Sequence, residues 1–125
     1  MIKITLPIPH PKLWGNRNTH WRSAAPLKKA YRKGACQAME AQMKRQNLQP
    51  NVWETASLSL QYYFKDWRKR DVFNAQAAMK AAIDGCVDAG LLPDDDWQRL
   101  EAGPAKGGYD KRNPRVIMTF TRLDV

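Results

Sequence analysis

The sequence predicts a single α+β domain over residues 1–125, in which a small mixed four-stranded sheet packs against two helices. Length is the first reason, because 125 residues suffice for one hydrophobic core and leave too few for a second. Composition is the second, since 43% of the residues are hydrophobic and 26% are charged, as in globular proteins. The third is that apolar side chains recur with a strand period in some segments and a helix period in others.

The first half of the chain predicts a strand, a loop and a helix. Ile2–Leu6 alternates apolar and polar side chains, and Pro7 ends the strand. Residues 10–22 are rich in Pro, Asn, Gly and basic side chains, which predicts a loop. Ser23 is a capping residue for a helix that carries an apolar stripe and a basic flank and ends near Gln46.

The second half predicts a strand, a helix and two further strands. Residues 56–64 alternate and form the clearest strand, and a charged loop over 66–71 follows it. A helical stripe runs from Phe73 to Ala89, with Gly90 as its C-terminal cap. The acidic loop 91–96 comes next. The last strands are expected at residues 98–102 and 115–122, joined by a Gly-, Lys- and Asn-rich turn over 103–114.

The charge is unevenly distributed along the chain. The whole net charge of +9 lies in residues 1–50, which hold ten Lys or Arg side chains and one acid, Glu40. Residues 51–125 are neutral overall, and their acids cluster. A basic surface beside an acidic cluster is typical of a protein that binds a polyanion near a carboxylate metal site. An unevenly charged surface without such a ligand is the alternative.

The sequence predicts a cytoplasmic protein without a membrane segment. No apolar run approaches the roughly 20 residues of a spanning helix, and the first residues are too short and proline-rich for a signal sequence. Cys36 and Cys86 match no zinc or redox spacing, so we expect them to be small buried hydrophobes.

Acidic residues flank the second predicted helix. Asp71 precedes it, and Asp94, Asp95 and Asp96 follow it, so the helix can return the chain to the same edge of the sheet. Converging carboxylates are the oxygen ligands that Mg²⁺ requires. Three consecutive acids are equally typical of a solvated loop or a helix cap.

Two further patterns leave alternatives open. Lys80 is followed at four-residue steps by Asp84 and Asp88, which predicts either surface ion pairs or a lysine that contacts a phosphate near Asp71. Tryptophans beside the charged loops either stack on nucleic-acid bases or pack in a core or dimer interface. These tryptophans are Trp14, Trp21, Trp67 and Trp97.

Residues 70–96, RDVFNAQAAMKAAIDGCVDAGLLPDDD, resemble the RusA family of Holliday junction resolvases. That family carries an Arg-Asp-x-Asp-Asn motif, a Lys on the following helix, an Asp after it and a loop that ends in Asp-Asp. Leu6-Pro-Ile-Pro9 with Asn16 or Asn18 downstream resembles the family's N-terminal segment, and Lys29-Ala-Tyr-Arg32 resembles its first helix. The resemblance covers nearly the whole chain.

The resemblance implies a homodimeric, Mg²⁺-dependent endonuclease, often encoded by a phage or prophage, that nicks two strands of a four-way DNA junction symmetrically. It implies catalytic roles for Asp71, Lys80 and Asp95, and metal binding, of Mg²⁺ or Mn²⁺, by Asp71, Asp94, Asp95 and Asp96. The basic loops and first helix are expected to bind DNA together with the motif asparagine. This set is Arg17, Arg22, Lys28, Lys29, Arg32, Lys33, Arg68, Lys69, Arg70 and Asn74.

One position departs from the family pattern. Phe73 stands where the second motif aspartate belongs, and a phenyl ring cannot bind a metal. Because Asp71, Asn74, Lys80 and the acidic triplet are retained, the leading hypothesis is a junction endonuclease. The second is a junction-binding protein that cuts slowly or not at all, because Phe73 has replaced a metal ligand. A third hypothesis is a small basic domain that binds an acidic protein partner.

Overall fold

A computed structural model of the protein describes residues 1–14 and 21–125. The strands are β1 (Ile2–Leu6), β2 (Ala56–Phe64), β3 (Leu100–Tyr109) and β4 (Arg115–Arg122), and the helices are α1 (Trp21–Arg45), α2 (Val72–Ala77) and α3 (Lys80–Asp88). A short 3₁₀ turn occupies Pro11–Leu13. The predicted α+β class is confirmed.

The four strands form one mixed sheet in the order β1-β4-β2-β3. β4 is antiparallel to both β1 and β2, whereas β2 and β3 are parallel. A parallel pair needs a crossover, which α2 and α3 supply between β2 and β3. Consequently β2 and β3 end at the same edge of the sheet, where the loops at 65–71 and 110–114 begin.

The helices cover one face of the sheet. Alternate residues of β1, β2 and β4 are buried on that face, as their two-residue period predicted. They pack against buried side chains of the three helices. The contributors from the helices, and from the turn between α2 and α3, include Ala35, Met39, Met43, Ala75, Met79, Ala82 and Cys86. Cys86 is buried as expected, whereas Cys36 is only partly buried.

The second helix differs from its prediction. A single helix from Phe73 to Ala89 was expected, but the chain forms α2 and α3 with a turn at Ala78 and Met79. Met79 N donates to the carbonyl of Gln76, three residues back, which is the tighter 3₁₀ pattern. Both turn residues are buried, so the break lets each helix pack on the core in its own direction. Lys80 is therefore the first residue of a new helix.

The third strand is also longer than predicted. β3 runs through Gly103 to Tyr109, within the segment expected to be a turn. β3 is an edge strand, where Pro104 is tolerated because no partner needs its N–H. A β-carbon at Gly103 would lie 2.7 Å from the carbonyl oxygen of Leu58, so glycine is required where the β2–β3 register shifts.

The C-terminal end of α3 follows its predicted signal, whereas the start of α1 differs from its prediction. Gly90 has a φ of +92° and caps α3, with Leu91 N donating to the Cys86 carbonyl, as in a Schellman motif. α1 begins at Trp21, two residues before the predicted Ser23, so that Pro26 lies inside the helix.

Among the described residues, none of the helices is long and apolar enough to cross a membrane.

Candidate functional site

Asp71 lies at the start of α2 and holds it in place. One of its carboxylate oxygens, Oδ1, accepts hydrogen bonds from the backbone N–H groups of Phe73 at 2.8 Å and Asn74 at 3.1 Å. This is an N-cap, and it leaves Oδ2 without a backbone partner at the helix. The buried Tyr62 hydroxyl donates to the carbonyl of Ala75 at 2.6 Å and ties α2 to β2. Asp71 is therefore fixed and exposed at the sheet edge.

Lys80 joins the start of α3 to the acidic loop that follows the helix. Its Nζ donates to Asp84 Oδ1 at 2.9 Å and to Asp95 Oδ2. The hydrogen bond from Lys80 lowers the pKa of the Asp95 carboxyl, and the bonds to Asp95 and Asp84 raise the pKa of the Lys80 ammonium. Both charges of the pair between Lys80 and Asp95 are therefore present near neutral pH. The alternative of a surface ion pair between Lys80 and Asp84 is confirmed.

Arg32 connects this cluster to α1. Its guanidinium binds both oxygens of Asp88, at 2.6 and 2.8 Å, and lies 3.9 Å from Asp84. The bidentate contact lowers the pKa of the Asp88 carboxyl. Arg32, predicted as a DNA contact, thus also aligns α1 with α3 through the ion pairs that surround Lys80.

A cleft of about 570 Å³ lies between α1 and the two following helices. Its lining contains four basic side chains, Lys28, Lys29 and Arg32 of α1 and Lys80 of α3, and one acid, Asp84. The fold therefore brings predicted DNA contacts and a predicted catalytic residue to one cavity, although they are about 50 residues apart in the chain. An excess of positive charge in a concave site favours an anionic ligand.

Two of the predicted metal ligands, Asp94 and Asp96, bind backbone N–H groups of their own loop. Asp94 Oδ1 accepts from the backbone N–H of Asp95 at 2.7 Å, and Asp96 Oδ1 accepts from that of Gln98 at 2.9 Å, so both stabilise the loop. Within residues 1–14 and 21–125, no group of three or more His, Cys, Asp or Glu side chains is arranged to hold a metal.

Two carboxylates nevertheless converge on one point. Asp84 and Asp95 both accept from Lys80 Nζ, and both contribute oxygen, the donor type that Mg²⁺ prefers. Mg²⁺ sites often use only one or two carboxylates and fill the rest with water and substrate phosphate. This pair fits such an ion better than the expected set of Asp71, Asp94, Asp95 and Asp96.

The loop from Lys65 to Arg70 carries three predicted DNA contacts in different environments. Arg70 lies over the Phe64 ring at 3.8 Å and donates to Asp66 Oδ1 at 2.7 Å, so it mainly stabilises the loop. Arg68 lies 3.6 Å from Asp66 but is 80% exposed. Lys69 is exposed.

The remaining predicted contacts are spread over the surface or lie outside the described residues. Lys33 is exposed on α1 but does not line the cleft, and Asn74 is half-buried in α2. Arg22 lies over the Trp21 ring at 5.4 Å. Arg17 and the motif candidates Asn16 and Asn18 fall outside the described residues.

Phe73, which departs from the RusA pattern, lies at an open position. Its side chain is 75% exposed at the first turn of α2, next to Asp71. The ring therefore fills no part of the core, and its presence is not explained by packing among the described residues.

Sequence reasoning missed Asp84 as a site residue. Its four-residue spacing from Lys80 signalled the pair, but its approach to Asp95 through the shared ammonium depends on how α3 and the acidic loop fold together. Tyr62 was assigned only to the strand, and no sequence signal linked its hydroxyl to α2.

No protein-family model matches the chain, and no curated protein is similar to it.

Proposed function

We propose that this protein is a Mg²⁺-dependent, structure-selective DNA endonuclease that resolves four-way junctions by paired symmetric nicks. The observation that carries the proposal is the cleft lined by Lys28 and Lys29 of α1 and by Lys80 of α3. The ammonium of Lys80 is bound by Asp84, which also lines the cleft, and by Asp95 of the acidic loop. A DNA backbone is a polyanion, and it suits a cleft in which lysines lie beside a carboxylate that can share a metal.

The lysines of α1 have the simplest role. Lys28 and Lys29 are exposed, and no carboxylate lies within 4.0 Å of either among the described residues, so their charge is free for phosphates. Phosphate contacts of this kind position DNA without reading its sequence. They orient a strand across the cleft toward Lys80.

Lys80 supplies charge at the phosphate to be cut. Its ammonium is held by Asp84 and Asp95, so it is oriented before substrate binds, and its raised pKa keeps it protonated. A fixed cation stabilises the negative charge that develops on phosphate oxygens in the transition state. When bound, Mg²⁺ polarises the phosphate and lowers the pKa of the attacking water. Asp84 and Asp95 are the residues that would hold it, and the resemblance adds Asp71 at the start of α2.

Two symmetric nicks require two sites. A second copy of the chain, related by a two-fold axis, would present one site to each of two strands. The proposed active form is therefore a homodimer on a branched DNA.

A second candidate function is junction binding without cleavage. The exposed Phe73 in place of a carboxylate, and the lack of a three-ligand group in the described residues, favour this alternative. The lysines of the cleft serve both functions equally, so only a cleavage measurement separates the two.

The test is cleavage of an end-labelled four-way junction with Mg²⁺ or Mn²⁺, comparing the native protein with Asp71→Asn. Asparagine is an equally good N-cap, so this variant removes the carboxylate charge and retains α2. We expect paired nicks from the native protein and a loss of about a hundredfold or more in the variant. Equal yields near zero with intact junction binding would establish the second candidate and overturn the first.

A further inference from the structure

An exposed pair of stacked aromatic rings lies at the edge of the sheet where β2 and β3 end. The Trp67 and Tyr109 rings are 5.3 Å apart with an interplanar angle of 26°. Trp67 is 74% exposed and Tyr109 is 44% exposed. Tyr109 covers one face of the indole, so the exposure leaves its other face open to solvent.

The sheet fixes this pair in position. Tyr109 is the last residue of β3 and pairs with Phe64, the last residue of β2. Asp110 N donates to the Phe64 carbonyl at 2.8 Å and extends the pairing into the loops. Trp67 lies in the loop after β2, four residues before Asp71. It stacks on Tyr109, which the strand pairing holds in place.

The loops around the pair are basic. Asp66 and Asp110 neutralise Arg70 and Arg115 at 2.7 and 2.9 Å. Arg68 lies 3.6 Å from Asp66. The remaining cations of the two loops are exposed and have no carboxylate within 4.0 Å in the described part of the chain. These are Lys65, Lys69, Lys111 and Arg112.

We propose that Trp67, supported by Tyr109, is a stacking platform for an unpaired nucleobase, and that the surrounding cations bind the adjacent phosphates. This inference rests on the proposed function, because it requires a nucleic-acid ligand, and it adds single-stranded or unpaired nucleotides to the substrate. A planar aromatic surface suits any base, since every base has a π-face.

The chemistry of the surface favours a nucleic acid over a protein or lipid partner. The two rings are surrounded by exposed cations, and a nucleotide needs both a flat surface and nearby positive charge. Trp97 provides a contrast, because it is 94% exposed but directly follows the acidic triplet Asp94 to Asp96. Without a divalent metal, these carboxylates disfavour a phosphate beside Trp97.

The experiment measures binding of a fluorescein-labelled oligothymidylate and of a blunt duplex, by anisotropy at low salt without divalent metal. The variants are Trp67→Ala, Trp67→Phe, Tyr109→Ala and, as the matched control, Trp97→Ala. We expect Trp67→Ala to weaken oligothymidylate binding by about tenfold or more and duplex binding by less than about twofold. Trp67→Phe should restore most of the loss, and Trp97→Ala should bind like the native protein.

The outcomes separate this inference from the proposed function. Native protein that binds the duplex and junction while Trp67→Ala binds oligothymidylate as tightly as native overturns the platform alone. An equal loss on both ligands also overturns it, because the residue then acts on DNA generally or on the fold. No binding of any DNA by the native protein overturns the platform and the proposed function together.

Discussion

Lys80, at the first position of α3, and Asp95, in the loop after that helix, are joined by a hydrogen bond across 15 positions of the chain. The same ammonium also binds Asp84, one turn along the helix, at 2.9 Å. The contact holds the acidic loop after α3 against the first turn of that helix. It explains how residues that flank a helix in the sequence come to lie together at its N-terminal end.

In the proposed site, Lys80 and a divalent cation would compete for the same carboxylates, Asp84 and Asp95. Lys80→Met should therefore tighten Mg²⁺ binding by about tenfold, because the ammonium that binds both carboxylates is removed. The same variant should slow junction cleavage, since no cation remains to stabilise the phosphate. Isothermal titration with Mg²⁺ and a cleavage assay measure the two effects. Lys44→Met, at the C-terminal end of α1 and outside the cleft, is the control that should change neither.

Phe73→Asp should add a carboxylate beside Asp71, at the position where the RusA pattern has an aspartate. The exposed ring leaves no cavity when removed, and an acid in the first turn of α2 interacts favourably with the helix dipole. We expect Mg²⁺ affinity to rise by about tenfold and the cleavage rate to rise with it. Phe73→Asn is the matched variant without charge. Equal metal affinity in the two variants would mean that position 73 does not face the metal.

The elements predicted correctly are those whose side chains carry the signal. β1 and β2 have the predicted bounds because one face of each is buried, which imposes a two-residue period. β3 lacks that period, since it is an edge strand held by main-chain pairing with β2. The break between α2 and α3 falls at Ala78 and Met79, which are ordinary helix residues, so only tertiary packing specifies it.

The candidate site was predictable in part for the same reason. The spacing of Lys80 and Asp84 is local and gave their ion pair directly. The convergence of Lys28 and Lys29 with Lys80 depends on how α1 packs against α3, which no local pattern encodes. Asp94 and Asp96 look like metal ligands in sequence, but each binds a backbone N–H of its own loop.

The lysines of the cleft should determine how strongly DNA binding depends on salt. Lys28→Ala combined with Lys29→Ala should reduce the slope of log K against log salt by about 1 for each lysine. Titrations of a four-way junction at several salt concentrations give the slope. Lys44→Ala with Arg45→Ala, at the opposite end of α1, removes the same charge and should leave the slope nearly unchanged if contacts are confined to the cleft.

Gly85 sets the separation of α1 and α3. A β-carbon there would lie 2.2 Å from the Arg32 carbonyl oxygen, so Gly85→Ala forces the helices apart and should lower the free energy of unfolding by about 3 kcal/mol. Gly34→Ala is the matched control in α1, because nothing lies within 4 Å of its β-carbon. It should raise stability by about 1 kcal/mol through helix propensity. Denaturant unfolding measures both, and equal effects would contradict the close contact at Gly85.

Asp124 should make stability depend on pH in the acid range. Hydrogen bonds from the Arg122 guanidinium, at 3.1 Å from its terminal nitrogen, lower the pKa of the Asp124 carboxyl to about 2. A carboxyl whose pKa is lower in the folded chain stabilises the fold above its unfolded value, near 3.8, and loses that contribution as pH falls through about 2. Native protein should therefore be more stable than Asp124→Asn at neutral pH, and the two should converge near pH 2.

Thermal unfolding between pH 7 and about pH 2 measures this difference. Asp96→Asn is the control, because Asp96 forms no ion pair in the described residues and asparagine can still accept from Gln98 N. Asp124 also accepts from Thr55 N at 3.3 Å, a bond that the amide oxygen of asparagine can retain. A gap between native and Asp124→Asn that persists unchanged at pH 2 would therefore show that the carboxylate charge, and its pairing with Arg122, is not what stabilises this end of the sheet.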